Sequence, residues 1–173
     1  MGCDMHDMAE IRKNGKWEAV GEVYDLPAEW FEKGKTYRPF GPIRNYYVYG
    51  ALAGVRRGES DGVKLLSKPR GSPDNASAEF METVKQYGND GHSHSWATLL
   101  ELMEYDWKQH SHIHCFHRTI VNLVGLLVPY EQVKPIIMAW WEGDLLALKA
   151  MSDYLEENGK SLDDVRMVFF FDN

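Results

Sequence analysis

Apolar and polar residues alternate over two short segments on either side of Asn14-Gly15. The segments run from Cys3 to about Arg12 and from Trp17 to Tyr24, and a period of two is typical of β-strands. Asn-Gly favours a type I′ turn, because both central residues of that turn have a positive φ. The pattern predicts an N-terminal β-hairpin in which Lys13 pairs with Lys16.

The two faces of this hairpin differ in polarity. The first face suits packing against a core and carries mainly apolar side chains, at Cys3, Met5, Ala9, Ile11, Val20 and Tyr24. The second face carries Asp4, His6, Glu10 and Asp25 beside Trp17 and Val23. Asp4 and His6 lie side by side on this face, which suits two metal ligands or an acid and a base. The alternative is a polar pair on a solvent-facing strand.

Apolar residues recur at helical spacing through the middle of the chain. Asn45 is a suitable N-cap for the first predicted helix, and Asn158-Gly159 is a suitable end for the last. Another helix is expected to begin at Ser95, with His92 and His94 in its entry loop. The predicted helices cover about 45–55, 77–87, 95–107, an apolar segment that ends near 128, and 133–157.

Val165 to Phe171 is apolar on both alternations, which predicts a central strand that is covered on both faces and lies next to the hairpin. This strand brings Asp172 and Asn173 to the sheet, and the strand order decides whether they join Asp4 and His6. The expected fold class is α+β, with a small sheet (the N-terminal hairpin plus the C-terminal strand) packed on one side by about four to five helices.

The composition narrows the classes of partner. The 173 residues fit one domain, spanning 1–173, and the net charge of −7 disfavours non-specific binding to nucleic acid or to an anionic membrane. Two cysteines, Cys3 and Cys115, are too few for a disulfide scaffold, so a cytoplasmic location is expected. No apolar run is long enough to cross a bilayer.

Several cationic and aromatic residues stand near predicted helix starts, where unpaired backbone N–H groups favour an anion. Arg44 and the His92-Ser93-His94 triplet each precede a predicted helix, and prolines stiffen the loops that carry Arg44 and Arg70. We expect these side chains to hold phosphates and the helix start at Asn45 to lie beside them. Tyr46 or Trp96 would stack on a base, and Asp4 and His6 would bind ribose or base edges. Internal salt bridges of the two arginines are the alternative.

The same histidines permit a metal site. Asp4, His6, His92 and His94 together would supply enough nitrogen and oxygen ligands for zinc or manganese. A second cluster of possible ligands comprises His110, His112, His114, Cys115 and His117, and the alternative there is a solvated loop.

Five blocks of the sequence form a set: Met1-Gly2-Cys3-Asp4-Met5-His6, Arg44-Asn45-Tyr46, Pro69-Arg70-Gly71-Ser72-Pro73, Gly91-His92-Ser93-His94-Ser95-Trp96 and the ending from Asp164 to Asn173. Together these blocks resemble a family of small uncharacterised phage and bacterial proteins. Members open with Met-Gly-Cys-Asp-Ile-His and end in Phe-x-Phe-Asp-Asn, and here Met5 stands in place of the Ile. The resemblance implies a phage context and no particular activity.

These observations predict a phage-type cytoplasmic protein that binds a phosphate-containing, nucleotide-like small molecule and sequesters a host defence signal, without a cofactor. One alternative is a metal-dependent phosphodiester hydrolase that acts on a nucleotide. Another is an inhibitor of a host protein that docks through the aromatic residues Trp30, Phe31, Tyr37 and Phe40 of the long loop from Asp25 to Arg44. The aromatic content is also compatible with a homo-oligomer.

Overall fold

Four antiparallel strands form one sheet in the order β2-β1-β4-β3. The strands are β1 (Asp4–Lys13), β2 (Lys16–Val20), β3 (His92–Thr98) and β4 (Val165–Asp172). The structure is a computed structural model, and it describes residues 2–20, 44–56, 62–109, 113, 116–129, 131–132, 135 and 146–173.

The hairpin and the central strand are confirmed. Asn14 and Gly15 have φ angles of 51° and 77°, as a type I′ turn requires, and Lys13 pairs with Lys16. Strand β4 lies between β1 and β3, and every residue from 165 to 171 is buried. Side chains at odd and even positions of a strand point to opposite faces of the sheet. Apolar residues occur at both sets of positions in β4 because both of its faces are covered.

Five helices accompany the sheet in the part of the chain that the structure describes, and the α+β fold class is therefore confirmed. They are α1 (Tyr46–Ala53), α2 (Ala78–Tyr87), α3 (Leu99–Glu104), α4 (His117–Val124) and α5 (Leu146–Glu157), with short 3₁₀ segments at Gly88–Asp90, Trp107–Gln109 and Leu162–Asp164. Asn45 caps α1 through hydrogen bonds from the backbone N–H groups of Tyr47 and Val48. None of these helices combines the length and the apolar character needed to cross a membrane.

The prediction that a helix begins at Ser95 is wrong. Residues 92–98 form β3, and α3 begins only after Thr98, which makes a reciprocal capping box with Glu101. A strand buried on both faces needs hydrogen-bond partners along both edges, and β3 supplies the second set for β4. Trp96 fits the helical spacing of the residues that follow it, but the helix itself contains only residues from Leu99 onward.

The expectation that all helices pack on one side of the sheet is also wrong. The main core contains Ala9, Met167 and Phe169 from the sheet together with buried residues of α1, α3, α4 and α5. A second, smaller cluster on the opposite face contains Phe80 of α2 and Val168 and Phe170 of β4. Successive β4 side chains thus enter two separate apolar layers.

Several predicted features lie outside the described residues. The aromatic residues of the loop from Asp25 to Arg44 are among them, and so are His110, His112, His114 and Cys115. The predicted last helix is described from Leu146 onward, and it ends as expected, with Lys160 N–H donating to Leu155 O and Gly159 N–H to Glu156 O.

A buried ion pair joins the two central strands on the second face of the sheet. The Arg166 Nε donates to Glu10 Oε2 at 2.6 Å, and the two side chains are 4% and 0% exposed. The other Glu10 oxygen accepts from the backbone N–H of Ser77, the residue that caps α2, at 2.7 Å. Arg166 also donates to Oδ1 and to the backbone oxygen of Asn75, at 3.0 and 3.2 Å. The pair therefore fixes the start of α2 on the sheet.

Two tryptophans from the outer strands flank the same guanidinium. The Arg166 Cζ lies 3.9 Å from the ring centroid of Trp17 and 5.9 Å from that of Trp96. Arg12 lies over Trp17 at 5.7 Å and Arg70 over Trp96 at 4.7 Å. Arginine and tryptophan thus alternate along a chain of contacts that runs from Arg12 through Trp17, Arg166 and Trp96 to Arg70, and we call this set the cation–π row.

Replacing Arg166 by Met should lower the free energy of unfolding by about 3–5 kcal/mol, because the Glu10 carboxylate would be left buried without its cation. The control is Arg12→Met, which removes a half-exposed pair with Asp164 and should cost less than about 1 kcal/mol. Urea unfolding of the two variants measures the difference. Adding Glu10→Gln to Arg166→Met should recover much of the loss, and equal losses in the two single variants would contradict the role of the buried pair.

Candidate functional site

The first and last described strands meet at one end of the sheet. Asp4, at the start of β1, pairs in register with Asp172, at the end of β4, and the Asp4 N–H donates to Asp172 Oδ1 at 3.1 Å. Side chains with ionisable groups gather there from three further positions. We call the set Asp4, His6, Arg44, Arg56 and Asp172 the sheet-end cluster.

Arg44 is held in this cluster by a two-point contact. Its Nε and Nη2 donate to the two oxygens of Asp4 at 2.7 and 2.6 Å, and this hydrogen bonding raises the pKa of the guanidinium. Both side chains are about half exposed. Gly2 packs against the same guanidinium, because a Cβ atom at Gly2 would lie 2.7 Å from Arg44 Nη1. The position of Arg44 is therefore set by neighbours from both sides.

Arg56 reaches the cluster from the other end of α1. It follows the helix with a φ of 56°, and its Nη2 donates to Gly2 O at 3.3 Å and to Asn173 Oδ1 at 3.1 Å. The two arginines that flank α1 thus both contact residues next to the paired ends of β1 and β4. Tyr46, in the first turn of α1, accepts a hydrogen bond from the Cys3 N–H at 3.4 Å and is 38% exposed.

His6 connects the cluster to the second face of the sheet. Its Nε2 lies 3.3 Å from Asp172 Oδ2, although not in hydrogen-bonding geometry. Its ring lies 4.1 Å from the Tyr87 ring centroid and 4.9 Å from that of Phe170. The strand order that the sequence left open therefore brings Asp172 to His6 and Asn173 to the same end of the sheet.

His92 and His94 lie on β3 against two different phenylalanines. The His94 ring stacks on Phe170 with centroids 5.1 Å apart, and the His92 ring stacks on Phe171 at 6.2 Å. The Nε2 atoms of both histidines are buried and have no hydrogen-bond partner among the described residues. Burial, and to a smaller extent His92, lowers the pKa of His94.

The four predicted metal ligands do not surround one point. His6 and His94 stack on Phe170 from the two strands that flank it, and the Asp4 carboxylate binds Arg44. Within the described ranges, no group of three or more His, Cys, Asp and Glu side chains is arranged to hold a metal ion. The zinc or manganese site therefore stays a prediction, as does the histidine cluster from His110 to His117.

Arg70 and Trp96 lie away from the sheet-end cluster. Arg70 donates to both oxygens of Glu101, at 2.9 and 2.5 Å, and to Trp96 O at 3.3 Å. Although burial opposes the effect, hydrogen bonds from Arg70 and Thr98 lower the pKa of Glu101. Trp96 pairs in register with Val168, four residues before Asp172 in β4. The nine predicted ligand-binding residues thus lie in two separate places. Arg44 and Arg70 both form internal salt bridges, the alternative that the sequence left open.

Sequence reasoning missed Arg56 as a member of the site. A single arginine after a helix gives no signal by itself, although Gly54, with a φ of 71°, marks the helix end that turns the chain toward the sheet. The sequence pointed to Asp172, but which residues it contacts could not be predicted, because that depends on the strand order.

Lowering the pH should destabilise the protein through His94. Because the pKa of His94 is depressed in the folded state, the unfolded chain binds more protons, so the free energy of unfolding falls as the pH drops below about 6.5 toward the folded-state pKa. Urea unfolding at several pH values between 7.5 and 5 should give a smaller pH dependence for His94→Phe, which retains an aromatic ring beside Phe170. Equal slopes for the wild type and this variant would contradict the assignment.

Comparisons with protein-family models, curated proteins and solved structures find no match to this chain.

Proposed function

We propose that the protein binds a phosphate-containing, nucleotide-like small molecule at the sheet-end cluster. The observation that carries the proposal is the convergence of Arg44 and Arg56 on the paired ends of β1 and β4. Guanidinium groups bind phosphate oxygens with two parallel donors, and both arginines present such groups at one place.

The carboxylates of the cluster favour a ligand that also carries hydroxyl groups. Asp4 and Asp172 add two negative charges to the two guanidiniums of the cluster, so the cluster is close to neutral and less suited to a bare polyphosphate. Carboxylates accept hydrogen bonds from sugar hydroxyls, and the exposed ring of Tyr46 offers a surface for a base. A nucleotide supplies all three chemical groups.

The exposure of the Asp4–Arg44 pair is consistent with binding. A half-exposed ion pair contributes little to the stability of the fold, because solvent screens the two charges. The contact instead holds the guanidinium in one orientation, which reduces the entropy lost when a phosphate binds. A binder of this kind would remove a nucleotide-like host signal from solution.

The test compares Arg44→Gln with Arg70→Gln, because both arginines make two-point salt bridges and only Arg44 belongs to the cluster. Native mass spectrometry of the purified proteins, before and after heating, measures the phosphate-containing molecule that each retains from the cell. Loss of a charge-assisted hydrogen bond is worth about 1.5–3 kcal/mol, so Arg44→Gln should weaken retention by about 10- to 100-fold. Arg70→Gln should retain the wild-type amount.

Two results would overturn the proposal. One is equal retention by the Arg44 and Arg70 variants, which would place the ligand elsewhere. The other is a wild-type protein that carries stoichiometric zinc or manganese and no small molecule, which would favour the metal-dependent hydrolase.

Gly2→Ala should weaken ligand retention without unfolding the protein. The added methyl group would meet the Arg44 guanidinium, which is the far end of a flexible side chain and can move aside. The free energy of unfolding should change by less than about 0.5 kcal/mol, as for most exposed positions, while native mass spectrometry shows reduced occupancy. Unchanged occupancy would show that the orientation of Arg44 is not needed for binding.

A further inference from the structure

Ser93 has an unusual backbone conformation at the edge of the sheet. Its φ is 51°, in the left-handed region, and it lies in an irregularity of β3 between His92 and Ser95, where the register with β4 shifts. Non-glycine residues are uncommon in this region, and such positions cluster at functional sites. The irregularity allows two residues of β3, Ser93 and His94, to lie opposite Phe170.

The hydroxyl group of Ser93 lies beside a histidine. Its Oγ is 3.0 Å from Nδ1 of His92, and the His92 ring stacks on Phe171 at an interplanar angle of 27°. A serine at hydrogen-bond distance from an imidazole is the pairing of a nucleophile with its general base. Ser93 is partly exposed, so that a small electrophile can reach it.

The Ser93–His92 pair lies next to the sheet-end cluster. His92 pairs in register with Phe171, the residue before Asp172, and its Nε2 is buried without a partner among the described residues. The pair and the cluster thus occupy the same end of the sheet. Because β4 lies between β1 and β3, a phosphodiester held by the arginines would have to extend across the end of β4 to reach this hydroxyl.

We propose that Ser93 is a nucleophile and His92 its general base, acting on a phosphodiester bound at the sheet-end cluster; this inference rests on the proposed function. The Ser93 Oγ forms a bond to phosphorus as the bond from phosphorus to the leaving oxygen breaks. The Ser93 proton passes to His92 Nδ1 and then to the leaving oxygen. Water next attacks phosphorus and gives a proton to His92, the Oγ–P bond breaks, and Ser93 is reprotonated. The net reaction is hydrolysis to an alcohol and a phosphate monoester.

The test is labelling with an alkyl fluorophosphonate, which reports a nucleophilic serine without needing the ligand. Intact mass and peptide mapping should show one adduct per chain, on Ser93, with the partly exposed Ser72 unlabelled as an internal control. Ser93→Gly should abolish the adduct and keep the fold, because glycine adopts this φ without strain. His92→Asn, which can still hydrogen-bond to Ser93 but cannot accept its proton, should slow labelling by about 100-fold or more.

A second measurement connects the nucleophile to phosphodiesters. The wild type should slowly release nitrophenol from bis(p-nitrophenyl) phosphate, and Ser93→Gly should not. Absence of an adduct on Ser93, or labelling of His92→Asn at the wild-type rate, would overturn the inference whether or not a nucleotide is retained. An adduct with no phosphodiester cleavage would overturn the substrate class. Fluorophosphonate labelling needs no bound ligand, so failure of the proposed binding site is seen separately, in ligand retention.

Discussion

The buried ion pair between Glu10 and Arg166 constrains most of the structure. A buried charge is tolerated only with its partner and with its remaining hydrogen bonds satisfied, so the two side chains must face each other across β1 and β4. A slip of one residue in either strand would turn one of them to the opposite face. The pair therefore specifies the register that also places Asp4 opposite Asp172. The alignment of the sheet-end cluster thus depends on charges near the other end of the sheet.

The same pair acts on the cluster through α2. Glu10 accepts from Ser77 at the start of the helix, and Tyr87 at its end packs against His6 and Phe170. Phe80, between these two points, fills the second apolar layer. The helix is consequently attached to the sheet at both of its ends and in its middle. His6 has little freedom to turn, because its ring contacts both Tyr87 and Phe170, which also contact each other.

Much of the fold could be predicted from local patterns, whereas the grouping of the site could not. The hairpin followed from Asn14-Gly15 and the central strand from the apolar run that ends at Phe171, since turn chemistry and burial are written into adjacent residues. Strand β3 was missed because Trp96 continues the helical spacing of the residues after it. The segment is extended because β4 needs a hydrogen-bonding partner along its second edge. Arg166 passed unnoticed within an apolar strand, because its carboxylate partner is 156 residues away in the sequence.

Arg44 and Arg70 show the same limit at the level of function. Each lies in a loop that prolines stiffen, and each forms a two-point salt bridge with a carboxylate. Arg70 lies over Trp96 and belongs to the cation–π row, whereas Arg44 stands at the sheet end beside Tyr46 and Gly2. Residue type and stiff loops identified both, and only the tertiary fold separates Arg70, which lies over a tryptophan of the sheet, from Arg44, which belongs to the sheet-end cluster.

The central place of β4 also affects how the chain folds. Asp4 and Asp172 are 168 residues apart, and β4 follows every other described strand in the sequence. Until β4 arrives, β1 and β3 have no common neighbour, and each exposes an unpaired edge that can associate with other chains. Contacts between residues so far apart in the sequence form slowly, because the conformational entropy of the intervening chain is lost before strand pairing stabilises the structure. Insertion of β4 is therefore the step that completes the sheet and assembles the sheet-end cluster, so that a nascent chain without this strand would lack both.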